Sequence, residues 1–402
     1  MIIGQIVVYI IVICAVASSI CAIIKPEREF GKMFVEGITS IGPIFLSVAG
    51  IFAALPYFTL AINYILGPLF QAVGADPGMA ATSIIAVDMG GYQLAELLSQ
   101  TKEDWIMAMM NGYMAGATIV FSIPVGLRMI EKKDHKYFTL GILSGVLTIP
   151  IGVLVSSFIM LFTKPMIRET IATNGTATYS LVLGYMQIFK NLIPLVIFCL
   201  LIALGLFLIP RIMIKGFNIL GTIMDAAMKL FLAFFIVEHF TGFFTNVFGI
   251  WPFDPVIADE FEQNRALEIA GFTSLMLAGA FPMMYLIKKY LSGPLTRISS
   301  VFHISSDAII GSLTAAANVL ALYPMIKNME PEDKIKSVAF AVCGAFLIGD
   351  HLSFTANFQP TLILPLFCGK LVAGGLAIFV AGKIAVPKAK KLEQNVNIAK
   401  QR

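Results

Sequence analysis

Eleven apolar runs succeed one another along the chain, at roughly residues 2–24, 38–66, 76–99, 104–127, 138–162, 179–209, 216–247, 266–287, 305–326, 335–356 and 360–382. Each exceeds the ~18 residues that suffice for a helix to cross the hydrocarbon core of a bilayer. A transmembrane β-barrel would alternate apolar and polar positions, and these runs do not. Composition agrees: 58% of the residues are hydrophobic and 13% charged, where soluble domains carry about 25% charged residues. The expected fold class is an all-α polytopic membrane protein. The first run, with no basic segment before it and no small-residue cleavage site after it, reads as a retained helix.

Charge decides which runs cross. If all eleven did, basic loops would fall on both faces of the membrane, against the tendency of Lys and Arg to collect in the cytoplasm. If segments 76–99 and 305–326 instead enter and leave on one face, the clusters Lys25/Arg28/Lys32, Arg128/Lys132/Lys133/Lys136, Arg211/Lys215, Lys288/Lys289/Arg297, Lys327/Lys334/Lys336 and the tail from Lys383 all become cytoplasmic. That places 21 of the 28 basic residues inside. The longest outer loop, "GIWPFDPVIADEFEQN", has none. The expected topology is nine full crossings and two re-entrant or broken segments, with the N-terminus outside and the C-terminus inside. Asp76 before Pro77, and Asp307 after two serines, suit the starts of the two exceptional segments.

A duplication supports this layout. "YILGPL" (Tyr64–Leu69) recurs as "YLSGPL" (Tyr290–Leu295), 226 residues later, and Glu103-Asp104 recurs as Glu332-Asp333 at an offset of 229. Asp88 then falls near Asn318. Five crossings separate equivalent helices, so the copies are inverted, an arrangement common in secondary transporters with a midplane site at discontinuous helices. The expected organisation is an N-terminal helix (1–30), a first repeat (36–162) carrying segment 76–99, connecting helices (179–247), a second repeat (262–386) carrying segment 305–326, and a basic tail (387–402).

The chemistry is expected where polar groups enter the bilayer: Asp88, Asn111, Glu238-His239, Asn318, Asp350-His351, Asn357 and Lys370. An aspartate at bilayer centre costs about 3 kcal/mol even on the gentler scales, so it must face a partner or water. Asp88 precedes Gly90 and Gly91, and Asp350 follows Gly349, so both carboxylates sit beside flexible backbone. Helix breakers cluster nearby in "FSIPVG", "TIPIG" and "NFQPTLILP". Glu238-His239 reads more simply as the polar end of a span, while Asn111 and Asn318 also suit helix-to-helix bonding. The five cysteines lack metal or disulfide spacing. No phosphate loop, metalloprotease, nucleophile-elbow or dinucleotide fingerprint occurs, so no cofactor, metal or nucleic-acid partner is expected and no catalysis is assigned. The residues alone indicate an inverted-repeat transporter of a small polar solute.

The motifs "ADPGMAATSIIAVDMGG", "ATIVFSIPVGLRMIE", "LGILSGVLTIPIG" and "GDHLSFTAN", in this order, resemble the ethanolamine-utilisation permease family, EutH, over about residues 36–387. That resemblance implies an inner-membrane permease admitting ethanolamine for breakdown by a cobalamin-dependent lyase. It carries over Asp88-Met89-Gly90-Gly91 and Gly349-Asp350-His351 as distinctive polar elements. Ethanolamine is mostly protonated at neutral pH, so its site needs a carboxylate, hydroxyl partners and an aromatic face. Asp88 would meet the ammonium. Asn111, Asn318, Ser122 or Thr118 would serve the hydroxyl, and Tyr92, Phe121 or Phe354 would close the pocket. The neutral amine crosses bilayers unaided, so the cation is the expected cargo. The competing readings are a proton- or sodium-coupled symporter of another amine or amino acid, with Asp350-His351 relaying protons, and an intramembrane aspartyl protease using Asp88 and Asp350. The protease's GxGD pattern fails at Leu347. A homo-oligomer, dimer or trimer, is expected in the membrane.

Overall fold

A computed structural model describes residues 2–249, 253–260, 262–299 and 304–401. The Arg297 side chain, positions 250–252 and 261 of the outer loop, positions 300–303 of the second repeat and residue 402 of the tail lie outside the described residues.

In chain order, α1 (Ile2–Ile24) leads to α2 (Glu29–Thr39) and α3 (Ile41–Ala53), then to the short α4 (Leu55–Ala61) and α5 (Gly67–Gln71). The first broken segment is α6 (Pro77–Ile84) and α7 (Gly91–Leu98). α8 (Lys102–Asn111) runs through a π-helical stretch, Gly112–Ser122, into α9 (Ile123–Met129). There follow α10 (His135–Val146), α11 (Ile149–Thr163), a two-residue hairpin of β1 (Met166–Ile167) and β2 (Tyr179–Ser180), α12 (Tyr185–Leu208), α13 (Pro210–Thr241) and α14 (Phe243–Phe248). The second half holds α15 (Ala266–Ser299), the broken α16 (Ser306–Ala317) and α17 (Val319–Leu322), then α18 (Pro331–Gly344), α19 (Asp350–Phe358), α20 (Ile363–Val380) and α21 (Val386–Gln401).

Eight helical stretches among the described residues are long and apolar enough to span a bilayer: Ile3–Ile24, Glu29–Ala53, Lys102–Met129, Lys132–Thr163, Tyr185–Leu208, Pro210–Thr241, Ala266–Leu291 and Pro360–Lys391. The protein is an all-α polytopic membrane protein. Two differences from the sequence reading matter. The run 38–66 begins earlier as helix, at Glu29, and turns at Ala54, where Pro56 starts a new short helix. The run 335–356 is not one helix: α18 ends at Gly344, Phe346 adopts a positive φ of 58°, and α19 starts only at Asp350.

The most deeply buried of the eight stretches is Lys102–Met129, which packs against α6, α7 and, through its π-helical middle, α18. Segments 76–99 and 305–326 are both broken helices. Asp76 caps α6, its Oδ1 accepting from the Gly78 amide at 2.7 Å. At the other segment the cap is Ser305, whose Oγ accepts from Ala308, and Asp307 lies within the first turn instead. α6 packs on α8 and α16 on α18, the same pairing in both halves. A buried ion pair, Lys334 Nζ to Asp134 Oδ1 at 2.7 Å, ties the start of α18 to the turn before α10.

Candidate functional site

Three interruptions of helix meet in the interior. At the first, Ile85 and Ala86 are extended and Val87–Met89 form a single 3-10 turn carrying Asp88. Gly90 then takes φ +96°, a left-handed conformation that disfavours any side chain, and returns the chain to α7. At the second, Asn318 is extended (φ −156°, ψ 116°) and its Oδ1 caps α17 by accepting from the Leu320 amide at 2.9 Å. At the third, residues 345–349 lie against the end of α16. The amides of Phe346 and Ile348 donate to the carbonyls of Ala315 (3.0 Å) and Ala316 (2.8 Å). Those carbonyls belong to a helix C-terminus, where the last four acceptors lack partners within the helix. Irregular backbone at membrane depth is thereby satisfied inside the protein.

The breaks surround a cavity of about 430 Å³. Asp88, Asn318, Asp350 and His351 line it from the breaks, and Phe121 from the π-helical stretch. Asp350 stands in the first turn of α19, where the helix dipole favours an anion. Asp88 Oδ1 is buried and makes no hydrogen bond. His351, 1% exposed, places Nε2 at 3.9 Å from that oxygen. Its Nδ1 lies 2.9 Å from Nζ of the fully buried Lys370, which also donates to the Tyr113 carbonyl at 2.7 Å. A desolvated carboxylate oxygen without a donor is costly, and the side chain that carries it lines a cavity that a small cation would fit.

The remaining expected residues build the frame. Asn111 Nδ2 donates to Met79 O, Thr82 Oγ1 and Ser83 Oγ, fastening α6 to α8. Thr118 Oγ1 donates to the Val342 carbonyl, and Ser122 accepts from Tyr323 through its own carbonyl. Gly91 lets the turn close, since a Cβ there would lie 2.6 Å from the Ala86 oxygen. Tyr92 stacks on Trp105 with ring centroids 4.7 Å apart, meets Phe354 edge-on, and accepts from Gln359 Nε2 at 2.9 Å. Tyr92 and Phe354 thus form an aromatic cluster beside the cavity rather than its wall. Asn357 lies at the far end of α19, donating to the Phe272 carbonyl. Glu238 caps the exposed α14, and neither it nor His239 reaches the site.

Sequence reasoning missed the opposite wall, which Glu36, Ser40, Ile44 and Ser47 contribute from α2 and α3. Their spacing of three to four residues is one helical face and was the available signal. The sequence named Lys370 without a partner, and the structure pairs it with His351. A larger polar recess of about 660 Å³ lies by Asp76 and Asp104. Its carboxylates are already engaged, Asp76 by the Gly78 and Gln100 amides and Asp104 by Gln187 and Asn191. It reads as structural.

Fold and site together define a polytopic helical membrane protein whose broken helices converge on one acidic, solute-sized intramembrane cavity. The chain belongs to the ethanolamine utilisation protein EutH family, whose model matches residues 3–384. It is 36% identical over 390 residues to a Listeria monocytogenes protein named probable ethanolamine permease EutH, covering 97% of this chain and 96% of that one. An Escherichia coli K12 protein of the same name is 35% identical over 370 residues, covering 90% and 87%. A Bacillus subtilis relative called uncharacterized protein YxeR is 31% identical over 369 residues, covering 91% of each chain. No solved structure matches.

Proposed function

We propose that the protein is a permease that admits ethanolamine as its ammonium form, with Asp88 as the carboxylate that receives the cation. The observation that carries this reading is that the side chains of Asp88 and Asp350 line one cavity, each carboxylate held at a different helix break, with Asp88 Oδ1 left unbonded. The names of the relatives supply the substrate. A charge-assisted hydrogen bond from the ammonium goes to the Asp88 carboxylate, and Asn318 or Ser40 offers the hydroxyl a partner. An uncoordinated amine would find no comparable site in lipid.

The two halves read as inverted repeats moving by alternating access, supported by the matching pairs α6–α8 and α16–α18. With the N-terminus outside, the cavity opens past the exposed Glu36 toward the cytoplasm. The Tyr92–Trp105–Phe354–Phe358 cluster then closes the outer side. Arg168, in the loop between α11 and α12, reinforces that closure by donating to the carbonyls of Asn357 and Phe358 at the end of α19. The setting is the inner membrane, the cargo feeds ethanolamine breakdown, and copies assemble as a dimer or trimer.

Uptake into proteoliposomes at falling pH tests the cargo. Passive flux of the neutral amine through protein-free vesicles drops about tenfold per pH unit below the amine's pKa. Protein-mediated flux is expected to stay nearly flat over the same range. A mediated flux falling in parallel with the passive one would reject the cation as cargo.

A further inference from the structure

We propose that Lys370 sets the charge capacity of the cavity, holding it to one monovalent cation. The inference rests on the permease reading above and concerns what that site selects.

The charged groups facing one another there are few. Asp88 and Asp350 line the cavity, His351 separates Asp88 from Lys370, and Tyr113 and Cys343 are the other titratable neighbours of the lysine. Glu36 is a third carboxylate on the cavity wall, and it is exposed. Lys370 is fully buried, and its two hydrogen bonds go to neutral acceptors, the Tyr113 carbonyl and the His351 ring. As an ammonium it donates to Nδ1. That leaves the imidazole uncharged with its proton on Nε2, directed toward Asp88. At the breaks, with the exposed Glu36 carboxylate left to water, the two aspartates against one built-in ammonium leave a single negative charge. One ethanolammonium neutralises it, and a dication would leave a net positive charge buried in a bilayer, which is expensive. Lys370 does not touch the solute: it acts through His351, as a positioning residue and a fixed counter-charge.

Charge balance makes a test that a packing role would not mimic. Wild type, Lys370→Met, Asp350→Asn and the double variant are reconstituted, and uptake of ethanolamine is compared with that of propane-1,3-diamine, a dication near neutral pH. Wild type should carry ethanolamine and ignore a tenfold excess of the diamine. Lys370→Met, with two uncompensated carboxylates, should raise the diamine-to-ethanolamine uptake ratio at least about tenfold. Asp350→Asn, with no net negative charge, should lose ethanolamine uptake by about tenfold or more, and adding Lys370→Met should return it to within about threefold of wild type. A double variant no better than Asp350→Asn alone would overturn the proposal. If a single variant fails to fold, the wild-type comparison still decides, because a wild type that carries both amines equally well refutes it outright. A wild type that carries no ethanolamine would instead refute the permease reading.

Discussion

Gly116 lies in the π-helical middle of the α8–α9 helix, facing the first break rather than lipid. A Cβ added there would stand 2.3 Å from the Ile85 oxygen, 2.5 Å from the Ile85 carbonyl carbon and 2.7 Å from the Thr82 oxygen. All three are backbone atoms, so no side chain can swing away, and the closest contact must open by about 0.7 Å to reach 3.0 Å. Overpacking of this kind costs about 1–3 kcal/mol of stability. Ile85 is three residues before Asp88, so the strain is relieved by moving the turn that holds the carboxylate. A misplacement approaching 1 Å costs on the order of a hundredfold where geometry must be held. Gly116→Ala should therefore lower ethanolamine uptake in proteoliposomes by roughly ten- to hundredfold while the purified protein stays folded in detergent. Gly375→Ala is the control, since nothing lies within 4 Å of its added Cβ. Wild-type uptake by Gly116→Ala would refute the argument that this close approach sets the position of Asp88.

Three further outcomes follow from the same structure. Asp134→Asn strands the Lys334 ammonium, whose side chain is 8% exposed, and should cost about 3–5 kcal/mol, with Asp134→Asn/Lys334→Met recovering most of it in a thermal-unfolding assay. Arg168→Gln frees the carbonyls ending α19 and should raise labelling of a cysteine placed at Asn357 by a membrane-impermeant maleimide; unchanged labelling would argue against an outer clamp. Lys336 and Lys390 hold the Glu332 carboxyl below its usual range. Its contribution is therefore present above the ordinary glutamate pKa of about 4.3 and lost as pH falls below it. Acidification should release α21, which carries Lys390, and expose the tail to protease, and a Glu332→Gln variant should show no such pH dependence.

How far the sequence discloses this molecule depends on whether a residue breaks a local rule. Asp88 and the two glycines after it contradict a membrane helix, and the helix is indeed broken there. Asn318 and its flanking alanines behave the same way. The third break is marked only at its end, by Gly349 and Asp350. Ala345 to Ile348 is apolar like any span, and the docking of its amides on Ala315 and Ala316 accompanies the positive φ of Phe346. That contact joins positions some 30 residues apart and is invisible to periodicity. The pairing of Lys370 with His351 is tertiary for the same reason: a mid-span lysine announces a partner without naming it. Tyr92 and Phe354 looked like pocket walls because aromatic residues suit cations, yet they pack on Trp105 and Phe358 and shape the cavity from behind. The α2–α3 wall was readable, since Glu36, Ser40 and Ser47 share one face, but serines in an apolar helix also bond their own backbone. Ser40 does so here, with Gly37.

Asp88→Asn keeps the shape of the side chain and removes its charge, so it isolates the claim on which the account turns. A hydrogen bond to a charged group is worth about 1.5–3 kcal/mol, which converts to a loss of roughly ten- to hundredfold in uptake at limiting substrate. Radiolabelled ethanolamine entering proteoliposomes made with folded Asp88→Asn protein is the measurement. If Asp88 receives the ammonium, uptake falls by that factor, and uptake within twofold of wild type would contradict that role.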